Sequence, residues 1–145
     1  MKGNKKMKQT RILSLFLILV LALSFVACAQ PDLGELWTDA TYKKDKTFGS
    51  GAKTIEVEVI AGESSVTFTL HTDKETVGAA LIEHNLIEGD AGAYGLYVKK
   101  VNGILADYDV DQSWWGFYKN GEMMLTGVDM TAFEDGDHYE LKYEK

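Results

Sequence analysis

The sequence predicts an α+β domain in which one helix packs across a sheet, and three patterns indicate it. Apolar and polar residues alternate at 55–59 and again at 66–71, as in half-buried strands that pair antiparallel. The apolar period then changes to that of a helix at 77–84. Asn-Gly pairs at 102–103 and 120–121 predict tight hairpins, with returning strands at 104–107 and 123–126. Two strands, one helix and then several short strands are the order of an α+β fold.

The first 27 residues have the pattern of an export signal. A basic start precedes the apolar run Ile12–Val26, which is short for a membrane span and closes on Ala27. Cys28 lies where the lipobox of bacterial lipoproteins, which this segment resembles, places its modified residue. We therefore expect cleavage after Ala27, a lipidated Cys28 and attachment to the extracytoplasmic face of a bacterial cell membrane. A plain secretory signal with an incidental cysteine is the alternative.

Removal of this signal would leave a strongly acidic chain. The signal holds five of the 15 basic residues and none of the 22 acidic ones, so ten basic residues remain and the net charge is −12. No arginine remains either, because Arg11 is the only one in the chain. Such a surface repels phosphate backbones and lacks the planar fork that clamps phosphates and carboxylates, which excludes nucleic-acid binding.

The residues between Cys28 and the predicted domain divide into two parts. Residues 28–35 are expected to be a lipidated cysteine and linker. Residues 36–52 are more apolar, so we expect this segment to dock on the domain, with a short strand at 40–42. Trp37 is interpreted as the packing anchor of this docking segment. The domain itself is assigned to residues 53–145, which suffice for one small core.

The single helix and the last strand have clear boundaries in the sequence. Asp73 or Thr76 can cap the helix, and Asn85 ends it. The last strand, 138–143, alternates tyrosine and leucine with charged residues and follows an Asp-Gly turn at 134–137.

An unusual aromatic strand lies at 114–119. In an extended conformation Trp115 shares one side with Phe117, while Trp114 and Tyr118 share the other side with Gly116. If one side stays uncovered, its aromatic residues can form a ligand platform; if both sides are covered, they are core. The sequence does not tell which tryptophan faces outward.

Acidic residues and histidines give no sign of a metal centre or of catalysis. Asp107, Asp109 and Asp111 have the spacing of the first ligands of a calcium loop, but Gln112 and Tyr118 stand where that loop needs glycine and glutamate. A solvated acidic loop without a metal is the expectation. The alternative is an extended segment with the three carboxylates on one side, where a divalent cation could reduce their repulsion. The histidines are isolated, and no nucleophile stands beside a base, so we expect no enzyme.

Five motifs identify the domain as a member of a known family. The run from about Thr54 to Tyr143 resembles the bacterial DUF4430 family, which is related to the C-terminal domain of transcobalamin and intrinsic factor. The motifs are TVGAAL (76–81), GLYVKKVNG (95–103), WWGFYKNG (114–121), TGVD (126–129) and DGD (135–137). The resemblance implies a β-grasp-like fold, in which a mixed or antiparallel curled sheet holds one helix.

The resemblance also implies a function. In the vitamin-binding relatives this domain forms one lid over a corrinoid, opposite a helical domain for which this chain is too short. It implies a non-catalytic module for a soluble ligand, with cobalamin or another corrinoid as the suggested ligand and a transporter or surface protein as partner. The alternative is a module that binds another surface protein or a cell-wall glycan. The candidate ligand contacts are Trp114, Trp115, Tyr118, Tyr94, Tyr97, Tyr108, Gln112 and Asn120.

Overall fold

The computed structural model describes residues 32–145. The export signal and Cys28 lie outside the described residues, so their assignment stays a prediction. Within the described part, no helix is long and apolar enough to cross a membrane. The strands are β1 (Lys46–Gly49), β2 (Lys53–Ala61), β3 (Ser64–Thr72), β4 (Ile87–Gly92), β5 (Gly95–Val101), β6 (Ile104–Leu105), β7 (Trp114–Lys119), β8 (Glu122–Met123) and β9 (His138–Glu144). The α-helices are α1 (Val77–Glu83) and α2 (Tyr108–Asp111).

The strands form two sheets. The main sheet has the order β1-β3-β2-β9-β7-β8, and β4-β5-β6 form the second sheet. β2 and β3 pair antiparallel as predicted, whereas β9 runs parallel to β2 and antiparallel to β7. The result is a mixed, curled sheet that holds one main helix, and the predicted β-grasp-like α+β class is confirmed.

One side of the main sheet, here called the inner face, carries the core. Val57, Tyr139 and Leu141 project there with Phe68 and Phe117 from neighbouring strands, and none is more than 9% exposed. The alternate residues of the same strands project to the opposite side, here called the open face, where most are half-buried or exposed. The period of two in the sequence therefore separates a buried side from a wet side.

Helix α1 packs on the inner face and begins where the sequence predicts. Thr76 is the N-cap, and its hydroxyl accepts a hydrogen bond from the backbone N–H of Ala79 at 3.2 Å. Asn85, which has a left-handed φ of 55°, follows the C-cap residue. Gly78 allows the helix to approach the segment 128–130 closely, since a Cβ there would lie 2.7 Å from the backbone of Asp129.

The docking segment packs on the inner face and contributes to the core. Trp37, in a 3-10 turn at Glu35–Trp37, is 1% exposed, and its indole N–H donates to the carbonyl oxygen of Ala61 at 2.9 Å. The prediction of a strand at 40–42 is wrong. The strand of this segment is β1, which pairs parallel with β3 and brings Phe48 within 5.6 Å of the Phe68 ring centre.

Both Asn-Gly pairs form tight turns, but the hairpins differ from prediction in length. Asn102 and Asn120 each have a φ of 51°, and the glycines that follow have φ values of 83° and 80°. The returning strands β6 and β8 are two residues long, whereas the sequence suggests four each. Because β8 ends early, the chain leaves the sheet after Met124, whose backbone N–H still donates to the carbonyl oxygen of Phe117 at 2.9 Å.

Candidate ligand-binding site

An apolar cleft of about 180 Å³ lies between β5, β7 and the loop that follows β8. Its walls come from three parts of the chain that are distant in sequence, and they include Leu96, Tyr97, Trp114, Trp115, Met123 and Met124. A mostly apolar concave surface of this kind is the default location for a ligand site in a domain without an obvious catalytic group.

Polar contacts behind the cleft hold its walls in place. The Trp115 indole N–H donates to the carbonyl oxygen of Ile104 at 3.3 Å, which joins β7 to β6. The Asp129 carboxylate accepts a hydrogen bond from the backbone N–H of Leu96 at 2.7 Å, which joins the loop to the start of β5. The cleft is therefore built between elements that are tied together and does not depend on one flexible loop.

Large exposed apolar side chains lie in, or directly beside, the segments that line the cleft. This apolar rim consists of Tyr94, Tyr97, Met123, Leu125 and Met130, which are between 45% and 95% exposed. The two loops that carry these residues approach each other, because the carbonyl oxygen of Tyr94 lies 3.1 Å from the position of a Cβ on Gly127. Exposed apolar side chains that adjoin in this way mark a contact surface.

The aromatic strand has one covered side and one uncovered side. Trp115 and Phe117 point to the inner face and are buried, whereas Trp114 and Tyr118 lie half-buried on the open face. A Cβ at Gly116 would lie 2.6 Å from the Tyr118 ring and 3.2 Å from the Trp114 ring, so both rings cover the glycine. Burial raises the pKa of the Tyr118 hydroxyl, as does its hydrogen bond to Glu144 at 3.1 Å.

The structure brings together some of the predicted contact residues and separates the others. Tyr97, Trp114 and Trp115 line the cleft, although Trp115 is 7% exposed and its N–H is already used inside the domain. Tyr94 lies on the rim. Tyr118 lies on the open face, beside the cleft.

Three other predicted contact residues do not line the cleft. Tyr108 is exposed on α2, and Gln112 is the left-handed C-cap of that helix. Asn120 occupies the turn between β7 and β8. These residues are close to the aromatic strand in sequence but lie away from the cleft. Tyr108 and Gln112 belong to α2, which precedes β7, and Asn120 belongs to the turn that follows β7.

Several cleft residues were not among the predicted contacts. Leu96, Met123 and Met124 line the cleft, and Leu125 is the most exposed apolar residue of the rim. Three consecutive large apolar residues after a tight turn, at 123–125, were the available signal. A strand that continued to Thr126 would have placed them in a hairpin, which is why they were missed.

The acidic triplet does not form an extended row of carboxylates. Asp107 caps α2 and its carboxylate accepts the backbone N–H of Asp109 at 3.0 Å, so the segment makes a helical turn. Asp111 accepts hydrogen bonds from the hydroxyl of Ser113 and from Lys145. Among residues 32–145, no group of three or more His, Cys, Asp or Glu side chains is arranged to hold a metal ion.

The pKa of Asp111 is expected to be low because of these partners. The Ser113 hydroxyl first and Lys145 second hold the pKa of Asp111 at about 2, below its usual 3.8. The contribution of the ionised Asp111 carboxylate to the stability of the fold is therefore present above pH 3.8, and it is lost as the pH falls toward 2. Carboxyl-detected NMR titration of Ser113→Ala should move this pKa back toward 3.8, and an unchanged low value would contradict the assignment.

A larger hollow, of about 390 Å³, is a weaker candidate because its charges are already paired. It lies beside His84, between the end of β1 and α1. Lys74 pairs with Glu83 at 3.6 Å, and the Asp73 carboxylate accepts the backbone N–H of Ala52 at 2.9 Å. The buried Nε2 of His84 has no hydrogen-bond partner among the described residues, but it has almost no exposed surface through which a ligand could reach it.

Comparisons with known proteins agree on the fold. A family model described as a domain of unknown function (DUF4430) matches residues 74–145. A crystal structure of a "putative metal binding protein" from Ruminococcus gnavus ATCC 29149 is similar at 38% identity, covering 64% of this chain and 97% of that chain with a TM-score of 0.61. No curated protein matches the chain.

Haptocorrin, solved in complex with Cbi, is a more distant structural relative. The identity is 14% over 68% of this chain, and the TM-score is 0.55. This likeness shows a shared fold and confirms the resemblance to the transcobalamin-type C-terminal domain. The chain covers 26% of haptocorrin. Neither the family nor these structures indicate a catalytic activity.

Proposed function

Because this chain belongs to the DUF4430 family, we propose that its domain is a non-catalytic binding module for a soluble ligand, and that the ligand is cobalamin or another corrinoid. The observation that carries the proposal is the apolar cleft with its apolar rim. Haptocorrin, part of which shares this fold, was solved in complex with Cbi. The chain offers a concave apolar surface and a ring of exposed aromatic and methionine side chains for such a ligand.

The size of the cleft limits how the ligand would bind. Pockets that enclose a drug-sized molecule have volumes of about 300–1,000 Å³, whereas this cleft has about 180 Å³. A corrinoid would insert one edge into the cleft and lie against Tyr97, Met123 and Leu125 of the rim. Its opposite side would stay in water, so a separate protein, such as a transporter or a surface protein, is proposed to cover it.

A metal ion is a second candidate ligand, because the similar Ruminococcus gnavus protein is described as a metal binding protein. The part of the chain that the structure describes does not favour it, since it holds no cluster of three potential His, Cys, Asp or Glu ligands. Asp107 already caps α2, and Asp111 accepts hydrogen bonds from Ser113 and Lys145.

The proposed location is the extracytoplasmic face of a bacterial cell membrane, with a lipid on Cys28. The proposal rests on the order of basic start, apolar run and Ala27-Cys28 in the sequence. Cys28→Ser is expected to move the protein from the membrane fraction to the soluble fraction, because one modified residue with several acyl chains is a sufficient anchor.

The proposed site predicts binding that depends on the rim. Titration of the full chain in detergent solution with cyanocobalamin should change the tryptophan fluorescence, because Trp114 and Trp115 line the cleft. Tyr97→Ala and Met123→Ala should each weaken binding about tenfold, since each removes a large exposed side chain from the entrance.

The matched control is Tyr108→Ala, which removes an exposed tyrosine from α2, outside the cleft; Tyr108 is 57% exposed and Tyr97 45%. It should bind like the unchanged chain. Equal affinities for Tyr97→Ala, Met123→Ala and Tyr108→Ala would show that the cleft is not the ligand site. Absence of any response to cyanocobalamin or dicyanocobinamide would show that the ligand is not a corrinoid.

A further inference from the structure

The open face of the main sheet carries a second set of side chains with a different chemistry. It includes Trp114 and Tyr118 on β7 and their neighbours Glu140, Lys142 and Glu144 on β9. Glu56 and Glu58 of β2 continue the same face. Apart from Trp114, none of these residues lines the apolar cleft.

The aromatic part of this face is a strip along β7. The Cα atoms of Trp114 and Tyr118 are four residues apart, which corresponds to roughly 13 Å along an extended strand, but their side chains lean toward each other. Both rings lie over Gly116, whose missing side chain leaves room for them close to the backbone. The Tyr118 ring is also approached by the Lys142 ammonium group, 4.5 Å from its centre.

The polar groups beside the strip are already paired with one another. The Lys142 ammonium contacts the Glu140 carboxylate at 2.7 Å, and the Tyr118 hydroxyl donates to Glu144 at 3.1 Å. His138 lies between Glu56 and Glu58, at 3.6 and 3.8 Å from their oxygens. Each carboxylate can accept further hydrogen bonds beyond these pairs, and the Lys142 ammonium group can donate more than one. The open face therefore presents acceptors and donors, with an excess of carboxylates.

We propose that the open face binds a neutral oligosaccharide, stacked on Trp114 and Tyr118 and hydrogen-bonded to Glu140, Lys142 and Glu144. A hydroxyl group both donates and accepts, so it can bridge an ion-paired carboxylate and ammonium group and leave neither without a partner. The negative ring faces attract the polarised C–H groups of a sugar ring.

Two other classes of occupant are disfavoured by the charges of the open face. The surplus of carboxylates on the open face repels an anionic polymer. Lys142 is neutralised by Glu140, so it does not offset that repulsion. An apolar protein surface would leave these ion pairs desolvated, which costs free energy. A polyhydroxylated neutral chain leaves the ion pairs intact and stays partly hydrated.

The test uses isothermal titration of the full chain in detergent solution with two neutral probes, cellohexaose and chitohexaose. At least one should bind, and Tyr118→Ala should weaken it about tenfold. Lys142→Met should weaken it by a smaller factor of about three, because one donor is lost while the aliphatic stem remains. Tyr97→Ala, whose side chain lies at the cleft, should bind the sugar unchanged.

Three results would overturn this proposal. One is the absence of heat with both hexasaccharides at millimolar concentration; the second is unchanged affinity in Tyr118→Ala. The third is equal or tighter binding of polygalacturonate or of polylysine, which would assign the face to an anionic or cationic polymer. Near-ultraviolet circular dichroism of each variant shows whether the sheet is intact, so a folding defect is distinguished from a lost contact. Because the corrinoid titration depends on Tyr97 and Met123, its outcome is independent of this one.

Discussion

Replacement of Trp37 by alanine is expected to lower the free energy of unfolding by about 3–5 kcal/mol. The side chain is 1% exposed and belongs to the largest fully buried residues of the domain. Its indole N–H donates to the carbonyl oxygen of Ala61, so the substitution also leaves a buried acceptor without its donor. A loss of this size makes the docking segment part of the folded unit and not a tether.

Urea unfolding followed by circular dichroism measures this effect. Trp114→Ala is the matched control, since it removes the same side chain from the half-buried open face, and we expect it to cost about 1 kcal/mol. A Trp37→Ala loss no larger than that of Trp114→Ala would show that the docking segment contributes little to stability.

Asn102→Ala is expected to lower the free energy of unfolding by about 2–4 kcal/mol. The Asn102 side chain is buried and binds the docking segment through two hydrogen bonds to the backbone of Tyr42. Its Oδ1 accepts the backbone N–H of Tyr42 at 2.9 Å, and its Nδ2 donates to the Tyr42 carbonyl oxygen at 2.7 Å. Alanine would leave both groups of Tyr42 unpaired in a part-buried place.

Asn120→Ala is a closely matched control for this prediction. Asn120 has the same φ of 51° and is also followed by glycine, but its side chain is exposed. Both substitutions share the strain of alanine in a left-handed conformation, about 1 kcal/mol. The difference between the two measured losses isolates the hydrogen bonds to Tyr42. Equal losses would mean that the turn conformation alone explains the effect.

Hydrophobic periodicity was sufficient to predict the fold class, the helix and the central strands. The alternation at 55–59 survives in the structure because β2 is buried on one side only. The cap at Thr76 and the turns at Asn102 and Asn120 were also readable, since each depends on the local chemistry of one or two residues.

The parts that were missed depend on distant partners. β4 has the sequence Ile-Glu-Gly-Asp-Ala-Gly, with no alternation, and it forms a strand only because β5 lies beside it. β1 is four residues long and gains its regularity from parallel pairing with β3. Interactions of this kind leave almost no trace in the local sequence.

The candidate site was predictable in composition but not in geometry. The sequence shows that Trp114 and Trp115 point to opposite sides of a strand, but the pairing of β7 with β9 decides which side is buried. The cleft itself arises where β5, β7 and the loop after β8 meet. No pattern within one segment can indicate a contact among three.

The most direct test of the central claim is to map the ligand contacts by NMR on the isotope-labelled full chain in detergent solution. With cyanocobalamin or dicyanocobinamide, the largest shift changes should lie at Tyr97, Met123 and Leu125, with smaller changes on α2. Changes that are absent with both ligands, or that are largest at Tyr108 and Gln112 instead, would contradict a ligand site at the apolar cleft.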